Sequence, residues 1–402
     1  MNVTFRFGVP GDLTAPSADR LTVGDPRVVD FLAKLARRLL APAVARKHPE
    51  LGSLGYFLRP AELSRAVAKM RRDDALANAQ VIVSPRGNVF HLPPANVDTI
   101  FVYSWALSAL AGNHNVVRIS SRSAGAAEVI LEALDAVAAE ADPIVARTQR
   151  MVTYGRDDAV TGALSKWADL RVIWGGDAAV DTIRKQPLRP SARDLTFPDR
   201  TSWAVLSTAG WRAADPAARR AAVVGFANDA YWFDQAACSS PRTVFLVGGD
   251  GDDVRAEFLA LLLEVVDARG WVVDPAMAVE KRVNAYGLAA IGAAGALDFP
   301  DNRITALTLT GTEAAPRRWI GAGAFPFAEV GSLLDLVPAM NRQDQTVSHF
   351  GFTPAELQAF ATELGGRGVD RIVPFGSALT FGAIWDGYDL PSEFTRLTVL
   401  QP

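Results

Sequence analysis

The sequence predicts an α/β protein built on parallel sheets, and three observations lead to this fold class. Short apolar strands alternate with helical stretches from residue 81 to about residue 186. A second alternating series runs from 243 to 310, and residues 346–375 form a strand–helix–strand unit. Strands that alternate with helices are joined by right-handed crossovers, which place the strands side by side and parallel.

The first series begins at Val81-Ile82-Val83, which the pattern predicts to be the first strand of a parallel sheet. Two helices precede it, over 27–47 and 60–76, and the second opens with Pro60 at a favourable first helical position. The elements that follow are predicted as helix 97–111, strand 115–119, helix 124–141, strand 151–154, helix 157–168, strand 170–174 and a helix that ends near 186.

The second series ends in a well-marked unit. Thr353 and Glu356 form a capping box, and Gly365-Gly366 ends the helix that it starts. Strand 202–206 and helix 214–233 lead to Cys238, and they precede this series. Its elements are predicted as strand 243–247, helices 253–269 and 276–293, strand 303–310, and strands 347–352 and 370–373 around the capped helix.

The composition excludes several classes of protein. The 41 basic and 44 acidic side chains nearly cancel, so bulk charge predicts no nucleic-acid binding. A single cysteine allows no internal disulfide, which favours a reducing compartment, and we expect the cytoplasm. No signal peptide and no apolar run of roughly 18 residues is found, so no membrane span is expected. The four histidines are scattered, and no metal site is predicted.

The single cysteine, Cys238, lies between a predicted helix and the strand 243–247. A lone cysteine is most often a small buried apolar residue without chemistry. Nucleophiles, however, are often placed on turns between regular elements, and a thiolate is a strong one. Cys238 alone leaves both interpretations open. His114 and His349 have no acid or cysteine partner nearby in the sequence, which weakens a Cys–His hydrolase interpretation.

Other candidate contacts follow the predicted strands, where ligands bind in parallel sheets. The predicted loop after the first strand contains Ser84 and Pro85 and runs to Asn88. The side-chain amide of Asn88 is a candidate donor to an oxyanion. Arg118, Ser120 and Arg122 could hold a ribose or a 2′-phosphate. Gly175 and Gly176 form either an anion-binding turn or a plain tight turn. Glu329 alone is most simply a surface carboxylate.

Several segments resemble the LuxC-like acyl-CoA reductases, in the same order from about residue 28 to residue 395. The segments around Cys238 and in the C-terminal tail are the most specific. The matching segments are Pro85–Asn88, Ala111–Asn113, Val117–Ser120, Trp174–Asp177, Asp234–Pro241, Gln345–Val347, Arg371–Gly376 and Ile384–Leu390.

The resemblance implies an aldehyde-dehydrogenase-like fold with a Rossmann-like cofactor domain, a second α/β catalytic domain and a small oligomerisation element. The expected boundaries are 1–209 for the cofactor domain, 210–375 for the catalytic domain, and 376–402 for a segment that returns to the cofactor domain or forms an oligomer interface. The length of 402 residues also predicts two domains.

The resemblance also implies roles for individual residues. Cys238 matches the nucleophile, and Asn88 with the Cys238 backbone N–H matches the oxyanion donors. Pro85, Arg118, Ser120, Gly175 and Gly176 lie in segments that match the cofactor-binding half, and Glu329 matches the Glu that holds the nicotinamide ribose. Ser84 and Arg122 adjoin two of these segments and remain candidate cofactor contacts because of their positions after predicted strands.

The chain departs from the wider superfamily where a Glu activates water for aldehyde oxidation. The matching stretch Leu195–Arg200 contains no Glu, and Asp199 is its one candidate replacement. This departure favours a reductase, since thioester reduction needs no activated water. The expected cofactor is NADPH, with NADH open because Arg118 stands where the superfamily has Lys.

We therefore expect reduction of a fatty-acyl thioester to an aldehyde. The alternatives are an acylating aldehyde dehydrogenase working toward the thioester, a cofactor-free Cys acyl-transferase or thioesterase, and a non-catalytic carrier-docking subunit. The expected partners are an acyl-CoA or acyl-carrier protein substrate, further copies of the chain in a homo-oligomer, and an acyl-transferring enzyme.

Overall fold

The structure is a computed structural model that describes residues 3–71, 80–94, 97–121 and 125–400. The chain divides into two compact units, each with its own sheet. Unit 1 contains residues 1–198 and 381–402, and unit 2 contains residues 199–380.

Unit 1 is built on a six-stranded sheet in the order β1-β5-β4-β3-β6-β7, parallel except for β1. The chain runs from β3 to β4 on one side and returns to β6 on the other. The carboxyl end of β3 is therefore the point where the strand order reverses, which is where open α/β sheets bind ligands. The strands are β1 (Thr4–Phe7), β3 (Asn88–Leu92), β4 (His114–Arg118), β5 (Gln149–Thr153), β6 (Leu170–Trp174) and β7 (Arg193–Phe197).

Helices cover this sheet, and α5 is its central one. All of its residues from Ile100 to Leu110 are buried, which explains its apolar character on every side. The unit's helices are α1 (Pro26–Leu39), α2 (Pro42–Lys47), α3 (Pro49–Phe57), α4 (Pro60–Arg71), α5 (Ile100–Leu110), α6 (Ala126–Ala138), α7 (Pro143–Thr148), α8 (Asp158–Trp167) and α9 (Asp177–Arg184).

A second, two-stranded sheet in unit 1 joins β2 (Gln80–Pro85) to β17 (Thr395–Leu400) in antiparallel register. The prediction that Val81–Val83 is the first strand of the parallel sheet is therefore wrong, because that position belongs to β3. Two short apolar runs, 81–83 and 89–92, lie close together, and only tertiary pairing decides which one enters the sheet. The C-terminal segment also contains β15 (Ile384–Trp385), β16 (Tyr388–Asp389) and α15 (Leu390–Glu393).

Unit 2 has a seven-stranded sheet in the order β10-β11-β12-β9-β8-β13-β14, parallel except for β10. The predicted boundary after residue 209 is misplaced, because β8 pairs with β9 and β13 and so belongs to unit 2. The strands are β8 (Thr201–Ser207), β9 (Pro241–Val247), β10 (Ala294–Asp301), β11 (Ile304–Leu309), β12 (Ala324–Val330), β13 (Asp344–Phe350) and β14 (Arg371–Pro374).

The two faces of the unit 2 sheet bury separate cores. One is rich in aromatic rings, including Trp211, Phe226 and Phe258, and the other contains Trp203, Phe245 and Phe360. The helices are α10 (Thr208–Ala213), α11 (Pro216–Tyr231), α12 (Asp252–Ala268), α13 (Pro275–Ala290) and α14 (Pro354–Leu364), with 3₁₀ segments at Thr312–Ala314 and Leu333–Ala339. Across the described ranges, none of the helices combines the length and the apolar character that crossing a bilayer requires.

Candidate active site around Cys238

Cys238 lies in the loop that joins α11 to β9 in unit 2. The loop turns sharply, since Asp234 and Gln235 both adopt left-handed backbone angles, with φ of 50° and 55°. The Gln235 side chain is 1% exposed. Its Nε2 donates to the Pro241 and Ala324 carbonyl oxygens at 2.9 and 3.2 Å, and its Oε1 accepts from the Gly323 and Ala324 N–H groups at 2.7 and 3.1 Å. Gln235 thus ties the cysteine loop to the starts of β9 and β12.

Cys238 is held at the amino-terminal edge of the parallel strands. Its carbonyl oxygen accepts a hydrogen bond from Ser202 Oγ at 2.7 Å, and the same Oγ accepts from the Thr346 N–H at 3.1 Å. The thiol is partly buried, and Cys238 Sγ accepts from Nε2 of the fully buried Gln345 at 3.5 Å. The loop, β8 and β13 together therefore fix both the backbone and the sulfur.

Charged groups surround this edge. Arg242, the second residue of β9, interacts electrostatically with Cys238 and Asp199. Burial lowers the pKa of its guanidinium. Arg242 Nη1 donates to the Arg317 carbonyl oxygen at 3.0 Å, and its Nε is buried without a hydrogen-bond partner. The loop residue Asp199, which precedes β8, is thus placed within electrostatic range of the same cation.

Two ion pairs occupy the neighbouring positions on this edge. Arg317 pairs with Asp344 at 3.0 Å, and Arg200 pairs with Asp370 at 2.5 Å. Arg200 also donates to the Asp344 carbonyl oxygen at 3.0 Å. These pairs bind the starts of β13 and β14 to the segments before β8 and β12, so they stabilise the edge on which Cys238 lies.

Glu329 lies at the other end of the same sheet. It is near the end of β12, where it pairs in register with Leu246 of β9, and its Oε1 accepts from the Gly251 N–H at 3.1 Å at the start of α12. From Pro241 to Leu246 alone, β9 spans roughly 17 Å at about 3.3 Å per residue. The structure therefore does not bring Glu329 to Cys238, and its contact is that of a helix-capping carboxylate.

Several predicted cofactor contacts lie at the carboxyl edge of the unit 1 sheet. Arg118 ends β4, and its Nη2 donates to the Gly155 carbonyl oxygen at 3.2 Å, with the guanidinium 4.7 Å from the centre of the Tyr154 ring. Arg118 Nε is buried without a hydrogen-bond partner. Ser120 follows β4, and Gly175 and Gly176 follow β6 at the start of α9, where no side chain caps the helix. Arg122 lies outside the described residues.

Asn88 is placed differently from the prediction. It begins β3 at the amino edge of the sheet, where its Nδ2 donates to the Trp167 carbonyl oxygen at 3.3 Å and its N–H donates to Asp169 Oδ2 at 2.8 Å. Ser84 and Pro85 belong to β2. The predicted loop 84–88 thus does not follow a strand of the parallel sheet, because the strand before it pairs with β17.

Three residues at the cysteine were not predicted as site residues. Gln345 lies in a segment that supports the family resemblance, but its amide contact with Sγ depends on the pairing of β13 with β8. Ser202 is the second residue of β8 and Arg242 is the second residue of β9, at the edge where both strands begin. Only the spacing from Cys238 to Arg242, four residues along the chain, was available as a sequence signal.

Comparisons with known proteins agree on one family. Residues 60–282, more than half of the chain, match the family model described as acyl-CoA reductase (LuxC). A long-chain acyl-protein thioester reductase of Aliivibrio fischeri is 23% identical over 312 residues, 76% of this chain and 60% of that protein. Long-chain acyl-protein thioester reductase 2 of Photobacterium leiognathi is 28% identical over 178 residues, 44% of this chain and 35% of that protein. The chain thus matches less than two thirds of the length of these relatives.

Solved structures with the same fold include aldehyde dehydrogenases. Aldehyde dehydrogenase 21 from Physcomitrella patens has a TM-score of 0.67 at 11% identity, covering 93% of this chain and 85% of that one. Betaine aldehyde dehydrogenase from Staphylococcus aureus, solved with NAD⁺, has a TM-score of 0.64 at 13% identity, covering 94% and 82%. The aldehyde-dehydrogenase-like α/β fold that the sequence predicts is therefore confirmed, and the chain belongs to the LuxC family of acyl-CoA reductases.

Proposed function

We propose that this protein reduces a fatty-acyl thioester to the aldehyde through an acyl-enzyme on Cys238, with NADPH as the hydride donor. The observation that carries the proposal is the setting of Cys238 Sγ, which accepts from the Gln345 amide and lies in the field of Arg242. Family membership supports thioester reduction as the reaction class, and the names of the relatives favour a long-chain acyl group.

The first step is transfer of the acyl group to the enzyme. Cys238 thiolate attacks the thioester carbonyl carbon, a new C–S bond forms, and the negative charge moves to the carbonyl oxygen. When the tetrahedral adduct collapses, the bond to the original sulfur breaks, and CoA or the carrier thiol leaves as a thiolate. We assign the Cys238 backbone N–H as an oxyanion donor. Asn88 is not assigned this role, because its amide donates to the Trp167 carbonyl oxygen at the amino edge of unit 1.

A nicotinamide cofactor fits the carboxyl edge of the unit 1 sheet. The buried Arg118 Nε has no hydrogen-bond partner, and the N-cap residue of α9 is Gly176, whose lack of a side chain lets a ligand approach the start of the helix. Arg118 and Ser120 would hold the ribose and its 2′-phosphate, which favours NADPH, and the glycine turn would face the pyrophosphate. When bound, such a cofactor supplies the hydride that reduces the acyl group.

Hydride transfer, in place of hydrolysis, is favoured by the residues before β8. Leu195–Arg200 contains no Glu that could activate water, and Asp199 lies near the Arg242 cation. The acyl-enzyme is therefore reduced rather than hydrolysed, and addition of hydride to its acyl carbon gives a thiohemiacetal on Cys238. Collapse of the thiohemiacetal releases the aldehyde and regenerates the Cys238 thiolate. The reverse reaction, oxidation of an aldehyde to the thioester, uses the same residues and is the second candidate function.

The test follows NADPH and NADH consumption with a panel of acyl-CoA and acyl-carrier thioesters, with identification of the aldehyde. Cys238→Ala should abolish thioester-dependent oxidation of the cofactor. The matched control is Ser240→Ala, because this buried hydroxyl two residues away has no hydrogen-bond partner. Normal turnover by Cys238→Ala would refute the acyl-enzyme. Thioester cleavage without any binding of NADPH or NADH would instead favour an acyl-transferase or thioesterase.

We also propose that the β2–β17 ribbon is the oligomerisation element of a homo-oligomer. This two-stranded sheet exposes apolar side chains on both faces, namely Ile82, Leu397, Val399 and Leu400. Isolated two-stranded sheets are marginally stable in water, so a second copy that covers the ribbon would stabilise it. The mass of the native particle in solution tests this, and Leu397→Asp should reduce it to that of the single chain. A particle mass that the substitution leaves unchanged would contradict the assignment.

A further inference from the structure

Cys238 needs a partner that keeps its sulfur ionised, since the thiolate is the form that attacks an acyl group. His349 is on β13 together with Gln345, but it lies four residues further along the strand, toward the carboxyl edge. At about 3.3 Å per residue, this places the two backbones roughly 13 Å apart. Within unit 2, the groups that could stabilise a thiolate therefore lie at the amino edge of the sheet.

Arg242 has the properties of such a group. A guanidinium stays protonated at all accessible pH values. Arg242 is held by its Nη1 bond to the Arg317 carbonyl oxygen, and its Nε is buried without a hydrogen-bond partner. The two ion pairs at the same edge of the sheet, Arg317 with Asp344 and Arg200 with Asp370, balance their own charges.

We propose that Arg242 and Gln345 together hold Cys238 as a thiolate, Arg242 through its fixed positive charge and Gln345 through its amide donor to Sγ. This inference rests on the proposed function, because it takes Cys238 as the nucleophile. Gln345 touches the reacting sulfur directly, whereas Arg242 acts on it through the local field and is a positioning residue. The pair would replace the histidine base that many cysteine nucleophiles use.

Other charged groups at this edge also influence how readily Cys238 ionises. Asp199 acts on Arg242 from the segment before β8, and Asp344 and Asp370 face the edge from β13 and from the turn before β14. Asp234 lies on the loop before Cys238. These carboxylates oppose thiolate formation, and Arg317 and Arg200 offset two of them. Removal of the Arg242 charge therefore leaves a local excess of negative charge.

The experiment measures the pH dependence of Cys238 alkylation by iodoacetamide in the 402-residue protein, followed by mass spectrometry. Since Cys238 is the only cysteine, no other thiol contributes. We expect a midpoint below the ordinary thiol value of about 8.5. Arg242→Gln, which retains a donor for the Arg317 carbonyl, should raise the midpoint by about one unit or more, and Arg242→Lys should restore it. Gln345→Leu should also raise it, by a smaller amount.

Two results would overturn the inference: a wild-type midpoint at or above the ordinary value, or an unchanged midpoint in Arg242→Gln. If Arg242→Gln does not fold, the Arg242→Lys and Gln345→Leu profiles decide, because the first should match the wild type and the second should not. The measurement needs no turnover. Failure of the proposed function would appear separately, as normal activity of Cys238→Ala.

Discussion

Gln235 is predicted to be the main support of the nucleophile loop, and Gln235→Met tests this directly. The substitution keeps the length of the side chain but removes all four hydrogen bonds, at 2.7 to 3.2 Å, that join the loop to β9 and β12. At about 0.5–1.5 kcal/mol net for each bond, the expected loss in free energy of unfolding is about 4 kcal/mol. For a unit of this size, about 2–4 °C per kcal/mol gives a fall in Tm of roughly 8–16 °C.

The assay is thermal unfolding followed by circular dichroism, with Gln358→Met as the matched control. Gln358 is exposed on α14, so its substitution should change the free energy of unfolding by less than about 0.5 kcal/mol. Gln235→Glu adds a second test, because an ionised carboxylate would face the Pro241 and Ala324 carbonyl oxygens. That variant should be less stable at pH 8 than at pH 5. Equal Tm values for Gln235→Met and the control would refute the reasoning.

Two pH-dependent predictions follow from buried groups. Burial raises the pKa of Asp229 from 3.8 to about 7, while its carboxylate accepts from the Gly376 and Ala378 N–H groups. The protonated carboxyl therefore favours the folded state below about pH 3.8, and this contribution to stability is lost as the pH rises from there through about 7. Asp229→Asn should flatten the pH profile of Tm between these two values, and a variant with the wild-type slope would contradict this. Burial lowers the pKa of His91 from 6.5 to about 4, so the folded state holds it neutral. Stability should fall between about pH 6.5 and 4, and His91→Gln should remove that component; identical pH profiles of Tm would count against it.

The sequence was informative where local chemistry determines structure. The capping box of Thr353 and Glu356 is present at the start of α14, with both reciprocal hydrogen bonds, as predicted. The strand–helix alternation correctly indicated parallel sheets, because periodicity and turn residues act over a few positions. The position of Cys238 on a loop before an apolar strand was also visible, and β9 begins three residues later.

The predictions that were wrong depended on pairing between segments that are distant in the sequence. Val81–Val83 and Val89–Leu92 have similar apolar patterns, and only the pairing of β2 with β17, more than 300 residues away, separates their roles. That error moved the predicted post-strand loop to 84–88 and placed Asn88 at the wrong edge of the sheet. The register of β12 on β9 likewise puts Glu329 at the edge opposite Cys238, which no short motif reports.

The environment of the sulfur was hidden for the same reason. Gln345 contacts Sγ across 107 positions of sequence, and Ser202 holds the Cys238 carbonyl across 36. Both contacts arise from the order β9-β8-β13 in the sheet. The lone cysteine stood out in the sequence as a candidate nucleophile, but the residues that could make it reactive are identified only by the fold.

The central claim is that Cys238 carries the acyl group, and trapping of the acyl-enzyme tests it most directly. The protein is incubated with a long-chain acyl-CoA, or with the same acyl group on a carrier protein, in the absence of any reductant, and its intact mass is measured. We predict an increase equal to one acyl group, located on the Cys238 peptide, absent in Cys238→Ala, and discharged as aldehyde when NADPH is added. Aldehyde formation without such an adduct, or with an adduct at another residue, would contradict the account.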